Sequence, residues 1–297
     1  MALPSSLLCP IDFSPGSERA LRHALALTAA FGAHLTVVTV NDPVLVAAAM
    51  AAGHGATLRD QVEAALIATL ERMPAVASPL VPGIDIADGD PAEQVLASAE
   101  RAGTDLIVMG TRGLGQTSRM MFGSTTEKVV RAAHVPVLAV PDYAPERMSV
   151  VAGAPRFDIG HVVAAIGLDS ADGAVAAAAA EWSAACAAPL TLGHVERHVP
   201  APAWWPFGAL TATPASAGER GDARTRLGAL LREVPAAAGA SIDVRSGTVP
   251  DEVAAMVRDR NAGLLVVSRG GGHRRLGATA YRVMAEADIP TLIVGVS

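Results

Sequence analysis

Lysine is almost missing from this chain: of 23 basic residues, only Lys128 is a lysine. A phosphate grip built on a lysine ammonium is therefore scarce, and the GxxxxGK[ST] phosphate loop does not occur. Aromatic residues supply only 3% of the chain, against 51% hydrophobic residues in all, so the core has to be built from Ala, Val, Leu and Ile. Cores of that kind suit parallel strands buried on both faces and closely packed helices. An excess of positive charge is also missing; the formal net charge is −6 and the isoelectric point about 5.7. Broad nucleic-acid binding needs clustered cations to neutralise phosphates, and the cluster His273-Arg274-Arg275 is too short to supply them, so no nucleic-acid partner is expected.

Only two cysteines are present, Cys9 and Cys186, both in apolar surroundings and without CxxC spacing. They are expected to be buried free thiols in a reducing compartment. His194 and His198 are four apart, but His194 falls near the end of an expected strand, where helical i,i+4 geometry does not apply; no metal site is assigned there. Long apolar runs are lacking too. A mean hydropathy of +0.36 invites a search for membrane spans, yet the longest apolar window, residues 173–188, is alanine-rich and broken by Glu181 and Ser183. Alanine contributes little to lipid transfer, so no membrane helix is expected. The opening stretch MALPSSLLCPIDFS has neither a basic region nor a long apolar run, and the expected location is cytoplasmic.

What the chain does have is an internal repeat. Its 297 residues suggest two domains. Residues 7–12 resemble 162–169: each is a short apolar run ending in Asp and a serine-containing turn, and each leads into an alanine-rich helical stretch. Residues 35–40 pair with 190–195, 89–95 with 247–253, 105–109 with 263–267, and 134–140 with 288–294, in the same order and at similar spacing. Tandem duplication explains this, with domains expected at 1–145 and 160–297 and the boundary in the proline- and glycine-bearing stretch 141–160. Each copy alternates short apolar strands with helices, which implies an α/β fold: two tandem Rossmann-like domains, each a five-stranded parallel sheet flanked by helices. With strand order 3-2-1-4-5, the ends of strands 1 and 4 adjoin at a switch point, where doubly wound sheets bind ligands. Asp12 and Gly110 sit at those two ends.

Past strand 4 runs GTRGLGQTSRMMFGSTT, residues 110–126. A helix is expected to begin near Gly123 and Ser124, with Ser124 or Thr125 at or beside its N-cap. Such a terminus offers unpaired N–H groups to an anion. Gly110 and Gly113 would let backbone approach a ligand, and Arg112 and Arg119 could add charge. Glycine spacing alone leaves two readings open, a plain glycine-rich turn with a capped helix or a phosphate cradle.

The spacing Gly110-(two residues)-Gly113-(nine residues)-Gly123-Ser124 resembles the ATP-binding motif of the universal stress protein family. The Asp12-Phe-Ser14 turn, Val40-Asn-Asp, Asp105-Leu-Ile-Val-Met-Gly and Val135-Pro-Val-Leu-Ala-Val140 resemble it as well. The resemblance recurs in each half and implies the adenine nucleotide alpha hydrolase-like fold. It implies ATP as ligand, with Asp12 near the adenosine and ribose and Val40 at the adenine. It places Met109 and Gly110 along the nucleoside, and Gly113, Gly123, Ser124 and Thr125 at the phosphates. Asp12 is also the one carboxylate placed to help hold Mg2+ beside those phosphates.

The second half departs from this pattern. Ser268 stands where Gly110 stands, the segment to Gly277 is four residues shorter than that from Gly110 to Gly123, and Ala278 replaces the Ser124 hydroxyl. A degenerate nucleotide site is expected there. The resemblance thus implies a nucleotide-responsive stress regulator with ATP in its first half. A slow ATPase or phosphotransferase on the same site, and a non-nucleotide interaction module, remain the alternatives. The fifth strands are the edges expected to pair within the chain; the alternatives are that each edge is covered separately or pairs with a second copy as a homodimer.

Overall fold

The structure, a computed structural model, describes residues 3–76, 81–112, 123–143, 145–197, 217–270 and 278–295. It divides into two compact units, Leu3–Asp158 and Ile159–Ser297. The first runs β1 (Ser6–Pro10), α1 (Pro15–Phe31), β2 (His34–Asn41), α2 (Pro43–Ala51), α3 (Gly55–Glu71), β3 (Gly83–Asp88), α4 (Pro91–Arg101), β4 (Leu106–Gly110), α5 (Ser124–Ala132) and β5 (Val137–Val140). These five strands pair in parallel, in the order β3-β2-β1-β4-β5. That is the 3-2-1-4-5 order, with β1 and β4 side by side at the switch point.

Helix starts in this unit are written locally. α1, α2 and α4 each begin with a capping residue followed by proline at the first helical position: Ser14-Pro15, Asp42-Pro43 and Asp90-Pro91. Each capping oxygen accepts a first-turn N–H, and proline has no N–H to leave unsatisfied. α1 ends at Gly32, whose φ of 66° is the left-handed conformation that closes a helix. Of the strands, β1 and β4 are nearly all apolar, and Leu7, Leu8, Cys9, Ile107 and Val108 have no exposed surface. Cys9 lies in this core with its thiol pushed far up by burial.

The stretch 141–160 is more than a boundary. It holds an antiparallel hairpin, β6 (Met148–Val151) and β7 (Ala154–Phe157). Its two turn residues, Ala152 and Gly153, both have positive φ, 51° and 83°. This is the two-residue turn whose twist matches that of the strands it joins. The hairpin packs on α1: Phe157 meets Phe31 with ring centroids 6.0 Å apart, and Glu146, just before it, pairs with Arg22 at 3.0 Å. Gly153 marks the turn and Pro155 lies within β7, which composition alone does not separate from a linker.

The second unit repeats the plan with β8 (Val162–Ala165), α6 (Asp172–Ala185), β9 (Leu190–Arg197), α7 (Ala217–Glu233), β10 (Ser241–Gly247), α8 (Val249–Asp259), β11 (Leu264–Ser268), α9 (Ala278–Ala287) and β12 (Thr291–Val294). Its parallel order is β10-β9-β8-β11-β12, again 3-2-1-4-5. The second cysteine, Cys186, closes α6, and burial pushes its thiol up to about 12. Among the described residues, no helix is long and apolar enough to cross a membrane.

Candidate functional site

At the carboxyl ends of β1, β2 and β4 the first unit holds a cavity of about 380 Å³. Seven of the eight residues singled out in the sequence line it: Asp12, Val40, Met109, Gly110, Gly123, Ser124 and Thr125. The eighth, Gly113, lies outside the described residues, as does Arg119. Val38 and Ile11 line it too. Val38 could have been found from Val40, because residues two apart on a strand share a face.

The turn after β1 is held by short polar contacts. The Ile11 N–H donates to Val38 O at 2.8 Å and extends the β1–β2 ladder by one bond. Asp12 Oδ1 accepts from the Ser14 N–H at 3.0 Å and the Ser14 hydroxyl at 2.5 Å. Asp12 is therefore a turn former as well as an exposed carboxylate at the cavity. Between them Phe13 is forced to φ 61°, a strained conformation for an aromatic residue.

Gly110 has a packing reason to be glycine. A Cβ there would lie 2.8 Å from the carbonyl carbon of Gly16 and 3.1 Å from the Ser17 nitrogen. A Cβ on Gly16 would in turn lie 2.7 Å from the Arg112 carbonyl oxygen. The missing side chains let the first turn of α1 rest on the end of β4. Gly110→Ala is accordingly expected to destabilise the first unit by about 2–3 kcal/mol, because the obstructing atoms are backbone and cannot rotate away. Urea unfolding of wild type and variant checks this; an unchanged midpoint would show that α1 shifts freely.

α5 begins at Ser124, with Gly123 in the N-cap position at φ −61° and ψ 142°. Glycine has no side chain to cap the first turn, and no side-chain cap bond is made. The opening N–H groups of a helix have no acceptor within the helix itself, so an uncapped first turn holds donors for an anion. Thr126 fixes its position: the Thr126 hydroxyl donates to Gly110 O at 2.9 Å, and the Gly123 N–H donates to Thr111 O at 2.8 Å. The sequence did not single out Thr126, although its hydroxyl, three residues after the glycine, was the signal. Arg112 lines the cavity, but its guanidinium pairs with Asp142 and lies 4.8 Å from the centre of the Tyr143 ring. Lys128 is engaged elsewhere, 2.8 Å from Asp90 at the start of α4.

The second unit reproduces the frame and changes the chemistry. The Ile166 N–H donates to Gly193 O as the Ile11 N–H does to Val38 O, and Leu168 repeats the left-handed Phe13 at φ 60°. By this register the counterpart of Asp12 is Gly167, not Asp169, which lies two residues further on. Asp172 takes the place of Ser17: its Oδ1 accepts the Gly167 N–H at 3.1 Å, where Ser17 Oγ accepts the Asp12 N–H at 3.3 Å. Burial, with the neighbouring Asp169 charge, raises the Asp172 carboxyl to about 6. The Arg269 N–H donates to Val294 O as Thr111 does to Val140 O, which aligns Ser268 with Gly110. His273, Arg274, Arg275, Gly277 and His198 lie outside the described residues, and Thr279 lies in α9.

Comparison with known proteins gives one result throughout. The sequence model of the Universal stress protein family matches residues 5–141 and again 159–295. A universal stress protein from Thermus aquaticus is 36% identical over 135 residues, 46% of this chain and 97% of its own length. One from Methanocaldococcus jannaschii is 29% identical over 140 residues, 46% of this chain and 82% of its own. Among solved structures, a universal stress protein from Archaeoglobus fulgidus superposes with a TM-score of 0.61 at 16% identity, covering 99% of this chain and 97% of that one.

Proposed function

The chain belongs to the universal stress protein family, matched once in each half, and from that premise we propose that the first-unit cavity binds ATP and that the protein is a cytoplasmic, nucleotide-responsive stress regulator. The observation that carries this reading is the meeting of two surfaces in one cavity. Apolar walls from Ile11, Val38, Val40 and Met109 face an uncapped helix start at Gly123, Ser124 and Thr125. A base stacks on the first and phosphates accept hydrogen bonds from the second. Val40 takes the adenine, Met109 and Gly110 follow the nucleoside, and Asp12 reaches the ribose. Gly113, outside the described residues, is assigned to the phosphates by the family resemblance alone. Magnesium bound to the phosphates needs only one or two protein carboxylates, which Asp12 satisfies.

Mass spectrometry of ligand released from gently purified full-length protein tests the reading. Calorimetry on stripped protein adds the count: one ATP per chain is expected, because the second half has a shorter glycine segment and Ala278 in place of the Ser124 hydroxyl. Ser124→Ala should weaken binding about fivefold, the loss of one hydroxyl contact worth about 1 kcal/mol. Two ATP per chain, or none, would overturn the assignment. Hydrolysis requires a positioned water and commonly a base; steady ADP release, absent in a binding-deficient control, would make the protein an ATPase.

A further inference from the structure

The second unit has its own cavity at the corresponding strand ends, about 600 Å³, within the usual range for small-molecule sites. We infer that this cavity binds a phosphate-free small molecule carrying an amine or amidine on an apolar body. Its walls are aliphatic, with Ile166, Val253 and Val267 among them. Among the described residues, its charged and aromatic polar lining consists of Asp169, Glu196 and His194. All three present acceptors. His194 donates its Nδ1–H to the Ile166 carbonyl at 2.9 Å, which leaves Nε2 as a lone-pair acceptor in the neutral ring. Asp169 spends part of one oxygen on the Ala171 N–H, at 2.8 Å.

Glu196 is the sharpest of these signals. Its Oε2 is buried and has no hydrogen-bond partner among the described residues. In the first unit the same ladder position is closed: Asn41, paired in register with Asp88, donates Nδ2–H to Asp88 Oδ1 at 2.9 Å. Glu196 is paired in register with Ser246, whose buried hydroxyl likewise has no partner among the described residues. A buried carboxylate oxygen without a donor is costly; Glu196 lines the cavity, and turning its carboxylate onto a ligand N–H or ammonium relieves that cost. A phosphate would meet two carboxylates and a lone pair instead. Arg226, the guanidinium close to this turn, is directed onto the Leu168 carbonyl at 2.8 Å. Asp12 and Asp42 line the first cavity too, so what sets this site apart is the donorless Glu196 oxygen and the His194 Nε2 acceptor beside it.

Amide-detected NMR of the full-length protein tests the proposal, because it reports which cavity is occupied. The probes are tryptamine and benzamidine, with indole-3-propionate and benzoate as carboxylate counterparts of similar shape. The two cations are expected to shift the amides of Gly167, Gly193 and Val267 saturably, leaving Ile11 and Met109 in place. The carboxylates should do so at least about tenfold more weakly. Glu196→Gln keeps the shape and removes the charge, and should weaken the cations by about tenfold. If that variant fails to fold, Asp169→Asn, which retains the acceptor for Ala171, serves the same purpose with a smaller loss. Equal binding of cations and carboxylates, shifts confined to the first cavity, no binding of either cation, or affinity unchanged in a folded variant would each overturn the proposal.

Discussion

Replacing Gly123 with valine is expected to weaken ATP binding by about a hundredfold, close to 3 kcal/mol, with little loss of stability. The residue sits at φ −61° and ψ 142°, which any amino acid adopts, so glycine is not required there by backbone conformation. Valine at an N-cap costs about 1 kcal/mol at most relative to glycine. What valine adds is bulk at the mouth of the uncapped helix, where the phosphates must approach the N–H groups of Ser124 and Thr125. Its branched side chain has few rotamers with which to retreat. Ser124→Ala removes only a hydroxyl and leaves those N–H groups accessible, so the valine variant should be the worse binder by at least about tenfold. Calorimetric titration of ATP into both variants, with circular dichroism to confirm folding, decides the matter. Wild-type affinity in Gly123→Val would remove this turn from the phosphate site.

Acid should loosen the first unit through one histidine. His23 lies inside α1 with no exposed surface; its Nδ1 is 3.0 Å from the Arg19 carbonyl, and its buried Nε2 has no partner among the described residues. Burial is the main cause of a fall in its pKa from 6.5 to about 4, and the charges of Arg19 and Arg22 add to it. The folded state thus holds His23 neutral where the unfolded chain protonates it. Its contribution is fully present above pH 6.5 and declines as pH falls toward 4, by about 3 kcal/mol in all. His23→Leu removes the titrating ring and keeps an apolar helix former in place. Urea midpoints of the first unit at pH 7, 5.5 and 4 should fall steeply in wild type and much less in the variant; parallel slopes would rule His23 out. The second unit contains a group of opposite sign. Asp172, raised to about 6, favours folding progressively as pH falls from 6 toward 3.8. Hydrogen exchange, which reads the units separately, should show the first loosening before the second.

Much of this protein is written in local sequence. The duplication, the alternation of apolar strands with helices and the helix starts follow from apolar runs, capping residues and glycines within a few positions of one another, while the candidate site residues come with the family resemblance. Such signals survive without tertiary information because strand burial and helix capping are settled by near neighbours. Contacts between distant segments are of another kind. Gly110 is glycine because Gly16 lies against it, and nothing in residues 105–115 discloses that. Arg112 looks like a spare cation until Asp142 and Tyr143 are seen beside it. Asp169 looks like the match of Asp12 by eye, and only the ladder bond from Ile166 to Gly193 shows that Gly167 holds that place. The hairpin at 148–157 has the composition of a linker and is made structural by its packing on α1. The acceptor-lined second cavity is likewise a tertiary fact, because a side chain's charge is legible in sequence whereas the absence of its partner is a property of the packed surroundings.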